Sequence, residues 1–394
     1  MLETDKKTLT VFVIIVVIFT LPISGFIYLV ATDPFTDWNF NGTQVLCVSA
    51  VFYTGLTFLL FHAWEWLKPL VRYIVFGILT GVPLLLFTVI TAGKIYHGSI
   101  DTVRQNLNLW DYAPFIENTK AVSLDEASVL KLTQNLPRLD GATAFYPVYS
   151  AFVQAVYPTA DYRLQTENNP LWCTTTPWAY DRLIQGETDI IFVLAPSDEQ
   201  LASAEEAGIE LVFTPIGREA FVFFVNSRNR VSGLTSEQVR LIYSGEITNW
   251  REAGGRRSQI TAYQRNYNSG SQTAMIDFMR DVPLASPPIE IINDMMMGII
   301  EDVADYKNYN NAIGYSFLFF ATEMAGNKQI KLLAIDGVEP TRENVTNGTY
   351  QPANDFYAVT VKDCENPNVE LFIEWILSEQ GQELVEKTGY TRVN

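Results

Sequence analysis

The sequence predicts an α/β fold preceded by three transmembrane α-helices, and three observations carry that reading. Short apolar runs alternate with helical patterns from Pro137 onward, which implies an α/β architecture with largely parallel sheets. Three uncharged stretches lie before Lys94. The net charge of −17 falls wholly on residues 95–394, because residues 1–94 hold five acids and five bases. A chain of 394 residues is also long enough for two or three structural units.

The uncharged stretches run about 9–31, 42–64 and 73–93, each near the 20 residues that span a hydrocarbon core as a helix. Pro22 and Pro83 are tolerated there better than in soluble helices. The first stretch is too long for the apolar region of a signal peptide and has no small-residue cleavage site. Lys6 and Lys7 precede it, and Lys68 and Arg72 lie between the second and third stretches, whereas the intervening loop carries Asp33 and Asp37. Basic segments stay in the cytoplasm, so the N-terminus is expected inside and everything after Lys94 outside. The chain is therefore expected in the cell membrane as a multi-pass protein with a bilayer as partner. So acidic an outer part argues against nucleic acid as a partner and against flat adhesion to anionic lipid. An anion site in it must be a local, shielded pocket.

Residues 1–94 read as the membrane anchor, 95–134 as a stalk with one helical piece around Ser123–Leu132, and 135–394 as the binding domain. Cys47 falls in a predicted span, leaving Cys173 and Cys364 outside. The only histidines are His62 and His97; no metal-ligand spacing exists and no cofactor is implied.

The first chemical segment is Asp140-Gly-Ala-Thr-Ala-Phe-Tyr-Pro, which opens an apolar-periodic helix through Val156, with its donor-rich start near Thr143. The second is Cys173-Thr-Thr-Thr-Pro. Pro177 favours the first helical turn, and Thr176 is the expected cap. Strands are expected at Asp189–Leu194, Ile209–Pro215 and Ala220–Asn226, and helices at Ser236–Tyr243 and Ser271–Arg280. The third segment, Arg265-Asn-Tyr-Asn-Ser-Gly-Ser, joins a strand ending near Tyr263 to that last helix. A helix start leaves backbone N–H groups unsatisfied and carries partial positive charge. Ser269 and Ser271 add hydroxyl donors, Gly270 lets backbone approach an anion, and Arg265 offers a bidentate fork. Each segment alone is an ordinary capped helix; three together suggest convergence on one ligand. Met295-Met-Met reads as helix packing and the run Phe317–Phe320 as buried strand.

On these motifs, with Leu234-Thr-Ser-Glu-Gln-Val-Arg-Leu-Ile-Tyr, Ala312-Ile-Gly-Tyr and Phe372-Ile-Glu-Trp, the chain from about Leu139 resembles the phosphate-binding receptors of ABC-type phosphate importers, within the type 2 periplasmic-binding-protein family. The resemblance implies two lobes closing over phosphate or a related oxyanion, an ABC transporter permease as a possible partner, and no enzymatic role. Lobe one would comprise residues 135–213 plus 330–394, and lobe two 214–329. It implies Thr143, the Ala144 N–H, Thr176, Arg265, Ser269, Gly270 and Ser271 as ligand groups. An acceptor aspartate expected shortly after Asp189 aligns with Leu194, and Asp198 could take its place only in a longer loop. Two other readings stay open: a sensory or structural ectodomain with weak binding, and a Ser269 enzyme, for which no histidine follows His97.

Overall fold

The computed structural model describes residues 108–393 apart from 165–168, 287–308 and 325–328, together with scattered positions between 68 and 100. The chain forms two compact units, Met1–Ile100 and Asp101–Asn394. The expected spans at 9–31 and 42–64 lie outside the described residues, as does Met295-Met-Met, and 73–93 is described only in part. Among the described residues, no helix is long and apolar enough to cross a membrane.

In the second unit the elements follow as β1 (Leu139–Gly141), α1 (Tyr146–Val156), α2 (Thr176–Ile184), β2 (Ile190–Val193), α3 (Asp198–Glu206) and β3 (Leu211–Asn226). Then come β4 (Gly233–Leu234), α4 (Ser236–Tyr243), β5 (Thr261–Ala262), α5 (Gly270–Met279), β6 (Ala312–Phe317), β7 (Ile330–Leu332) and β8 (Ala334–Ile335). The chain closes with α6 (Arg342–Thr346), β9 (Ala353–Val361), α7 (Asn368–Leu377) and α8 (Glu379–Thr388).

Strands β1-β2-β9-β3-β6-β5 pair in that order, with β7 also on β3. Among the described strands, only the outer pairs β1–β2 and β5–β6, and the separate pair β4–β8, are parallel; the centre is antiparallel. The sheet is therefore mixed, not largely parallel, because β3 and β9 run antiparallel through its middle. The two strands expected at Ile209–Pro215 and Ala220–Asn226 are in fact one. Residues 211–220 of β3 pair with β9 in lobe one, and residues 221–226 pair with β6 and β7 in lobe two. A bulge between Pro215 and Gly217 lets the strand bend, and a Cβ at Gly217 would fall 2.4 Å from the Phe356 ring. The lobe boundaries move accordingly. The outward crossing lies near residue 220, and residues 330–335, expected in lobe one, pair inside lobe two before the chain returns at β9.

Residues 108–134 are packed against the domain and do not form a stalk. Leu109 and Ala113 are fully buried, and the Leu132 N–H donates to the Val156 carbonyl at 3.0 Å. No helix forms over Ser123–Leu132; the segment lies against α8, where Lys387 reaches Asp125 at 2.9 Å. Tertiary partners there outweigh a weak local helical preference. Aromatic packing fills both halves. In lobe one Phe145 stacks on Phe356 at 4.5 Å and Tyr149 on Phe192 at 4.9 Å; in lobe two Phe221, Phe223 and Tyr315 cluster.

Candidate anion-binding site

A cavity of about 90 Å³, room for only a small ligand, opens between the lobes. Lobe one contributes the turn after β1, the start of α2 and Leu194 at the end of β2; lobe two contributes Arg265, Asn266, the start of α5 and the end of β6.

The first wall is set by β1, which pairs parallel with β2. The Ala142 N–H donates to the Phe192 carbonyl at 2.9 Å, and a Cβ at Gly141 would lie 2.5 Å from that carbonyl oxygen, so only glycine fits. Asp140, fully buried, joins this wall to the second. It accepts from the Gly141 N–H at 2.7 Å, the Thr174 N–H at 2.8 Å and the Thr174 hydroxyl at 2.7 Å, and pairs with Arg182 at 3.0 Å. Burial pushes its carboxyl up to about 6, against those hydrogen bonds and the Arg182 charge. Cys173 lies behind Thr143, and burial pushes its thiol up to about 12; Cys173 and Cys364 are both free.

At the second wall Thr175, not Thr176, takes the cap position of α2, and Thr176 is the first helical residue. Thr175 has φ 87, a conformation that a β-branched residue adopts only under strain. Its hydroxyl is buried, has no hydrogen-bond partner, and belongs to a residue that lines the cavity. A buried donor left in that condition costs about 1–3 kcal/mol unless a ligand satisfies it.

The third wall is the turn into α5. Ser269 caps the helix by accepting from the Gln272 N–H at 3.2 Å. The Arg265 backbone N–H is held by Gln272 Oε1 and the Tyr315 hydroxyl, both at 2.9 Å, which fixes the root of the half-buried guanidinium arm. Gly270 faces lobe one so closely that a Cβ would lie 3.0 Å from Leu194 Cδ1 and 3.3 Å from Thr176 Oγ1.

Thr143, Ala144, Thr176, Arg265, Ser269, Gly270 and Ser271 thus all line one cavity. Asp198 does not. It is exposed at the first position of α3, where the Ser197 side chain caps the helix and the following carboxylate turns to solvent. Leu194 lies in the lining instead, and among the described residues no carboxylate does. Sequence reasoning missed Thr175, Asn266, Ser316, Phe317 and Phe320. The aromatic run read as strand leaves β6 at Phe317 and turns into a short π-helix, Phe320–Met324, which brings Phe320 to the cavity. The one available signal for Thr175 was its place within three consecutive threonines before Pro177.

The chain is 26% identical over 214 residues to the phosphate-binding protein PstS of Borreliella burgdorferi, covering 52% of this chain and 75% of that one. It is 28% identical over 170 residues to the phosphate-binding protein PstS of Bacillus subtilis, covering 43% of this chain and 53% of that one. It also aligns, at a TM-score of 0.48 and 23% identity, with a putative phosphate ABC transporter substrate-binding protein with bound phosphate from Clostridium perfringens, over 67% of this chain and all of that one. Residues 132–380 match the family model described as the PBP superfamily domain, and on that match, which takes in more than half of its length, the chain belongs to the PBP superfamily.

Proposed function

We propose that this chain is a membrane-anchored, extracytoplasmic solute-binding protein that takes phosphate or a related oxyanion between its lobes and presents it to an ABC transporter permease. One observation carries the reading: three donor-rich chain segments and Arg265 meet in one small cavity that, among the described residues, no carboxylate lines, on a chain of net charge −17. Helix starts, hydroxyls and a guanidinium form a donor set suited to an oxyanion. Relatives named for phosphate binding support the choice of ligand. A binding role is favoured over a serine enzyme, since the Ser269 hydroxyl serves as the cap of α5 and no histidine follows His97. For the anchor, Tyr73, Leu85 and Val89 in the third uncharged stretch are helical and 61–67% exposed, an apolar surface suited to lipid.

The second reading, a sensory ectodomain with weak binding, draws on Leu194 at the cavity wall, where no carboxylate among the described residues accepts a proton from hydrogen phosphate. Calorimetry of the full chain with phosphate separates the two. Binding in the micromolar range or tighter supports the first, and no heat at millimolar phosphate supports the second. With no carboxylate among the described lining residues to accept the phosphate proton and repel sulfate, sulfate is expected to compete within about tenfold, roughly 1.4 kcal/mol. Leu194→Asp should shift the balance towards phosphate. Strong phosphate selectivity in the unaltered chain would place an acceptor in the site that the lining lacks.

A further inference from the structure

Asn268 belongs to lobe two, one residue before the Ser269 cap, yet its side chain is held by lobe one. Ser197 Oγ donates to Asn268 Oδ1 at 2.7 Å, and Asn268 Nδ2 donates to Glu199 Oε2 at 2.7 Å. Gln200 Nε2 donates to the Asn268 carbonyl at 3.2 Å. The three partners form the first turn of α3, and two of them are already fixed by a reciprocal cap. The Gln200 N–H donates to Ser197 Oγ at 3.2 Å, and the Ser197 N–H donates to Gln200 Oε1 at 2.9 Å. Ser197 and Gln200 are buried, and each spends its remaining hydrogen-bonding group on Asn268. The receiving surface is therefore preorganised and pays little entropy when the lobes meet.

We propose that Asn268 is the latch of the cleft: it ties the anion-facing turn of lobe two to the cap of α3 in lobe one, so that a bound anion leaves only after these bonds break. The proposal rests on the phosphate-binding reading above. Its placement fits that role, because Asn266, Ser269, Gly270 and Ser271 around it all line the cavity while its own bonds lie across the lobe boundary. Asparagine also suits the turn, since φ at this residue is 66, a left-handed conformation it tolerates better than most side chains. The latch joins only when the lobes are together, so it acts on release and not on encounter.

The test is stopped-flow release of inorganic phosphate from the full chain into a phosphate-scavenging enzyme, with association measured separately. Asn268→Gly keeps the left-handed backbone and removes both side-chain bonds; release should quicken about tenfold, with association within about twofold of the unaltered chain. Asn268→Asp keeps the acceptor for Ser197 but sets a carboxylate against Glu199, so release should quicken further. Adding Glu199→Gln to Asn268→Asp supplies a donor again and should restore slow release, a rescue that a general folding defect would not show. Release within about twofold of the unaltered chain in both single variants overturns the latch while leaving phosphate binding intact. Failure of the unaltered chain to bind phosphate overturns the ligand reading and the latch with it.

Discussion

Among the described residues Arg265 is the only arginine or lysine in the cavity lining, and its backbone N–H is held by Gln272 and Tyr315. Truncating a charge that is desolvated and hydrogen-bonded on binding costs roughly 2–5 kcal/mol. Arg265→Ala is therefore expected to weaken phosphate binding at least about tenfold in calorimetry, where 1.4 kcal/mol is about one decade. Arg265→Lys should recover only part, since an ammonium lacks the planar fork. Glu219 shows the same physics without a ligand. It is 3% exposed on the crossing strand β3, and burial pushes its carboxyl up to about 8 despite the Ala220, Phe319 and Leu318 amides and the Arg342 charge. A carboxyl raised in the folded state binds its proton more tightly there than in the unfolded chain. Its contribution to stability is therefore largest below about 4.5 and declines as pH rises through about 8, by up to about 1.4 kcal/mol per pH unit. Glu219→Gln removes that titration. Relative to the unaltered chain its Tm should rise progressively between pH 5 and 8.5, and a constant difference across that range would contradict the burial argument.

At the scale of elements, the site is built from three chain turns that each end a strand or begin a helix, and their mutual distance is set by close approach at Gly270. A methyl there would press on Leu194 Cδ1 at 3.0 Å and Thr176 Oγ1 at 3.3 Å, both on the opposite lobe. Gly270→Ala should thus hold the lobes slightly apart and weaken phosphate binding roughly tenfold, about 1.4 kcal/mol. Stability should not fall, because alanine favours the helix that starts at this residue. Equal affinity in calorimetry, or a large drop in Tm, would show that the contact does not govern closure. The helices themselves were legible from a few neighbouring residues. The expected Ser236–Tyr243 helix is the observed α4, closed by the Thr235–Gln238 capping box, and the expected Ser271–Arg280 helix differs from α5 by one residue at each end.

Across the whole molecule, the contrast between a charge-neutral first 94 residues and a strongly acidic remainder underlies the proposed membrane placement. Protease added to intact cells should digest the part after Lys94 and spare a tag at Met1, following the Lys6/Lys7 and Lys68/Arg72 bias. Protection of the large domain would reverse the orientation. Within that domain β3 runs through both lobes, so a substitution on it can act on both lobes at once. Gly217 stands at the bulge, where a Cβ would collide with the Phe356 ring and crowd Val385, so only glycine fits at this point of the crossing.

Local order was determined by the sequence alone: the donor-rich starts of α1, α2 and α5, the apolar run of β2, and the helical pattern of α4. Each depends on hydrogen bonds or side-chain alternation among residues a few positions apart, and such interactions can be read from spacing. Tertiary structure decided what depends on distant partners. Residues 211–226 became one strand because β9, more than a hundred positions later, pairs through the bulge that local punctuation marked as a break. Asp198 faces solvent at the first position of α3, after the Ser197 cap, while Leu194 at the end of β2 lines the cavity. Residues 108–134 lie on the domain because α1 and α8 supply their partners, as where the Val129 N–H donates to Gln380, 251 positions away. The Asn268–Ser197 bond joins residues 71 positions apart. No periodicity encodes such a meeting; it exists only once the crossing strands have brought the two lobes face to face.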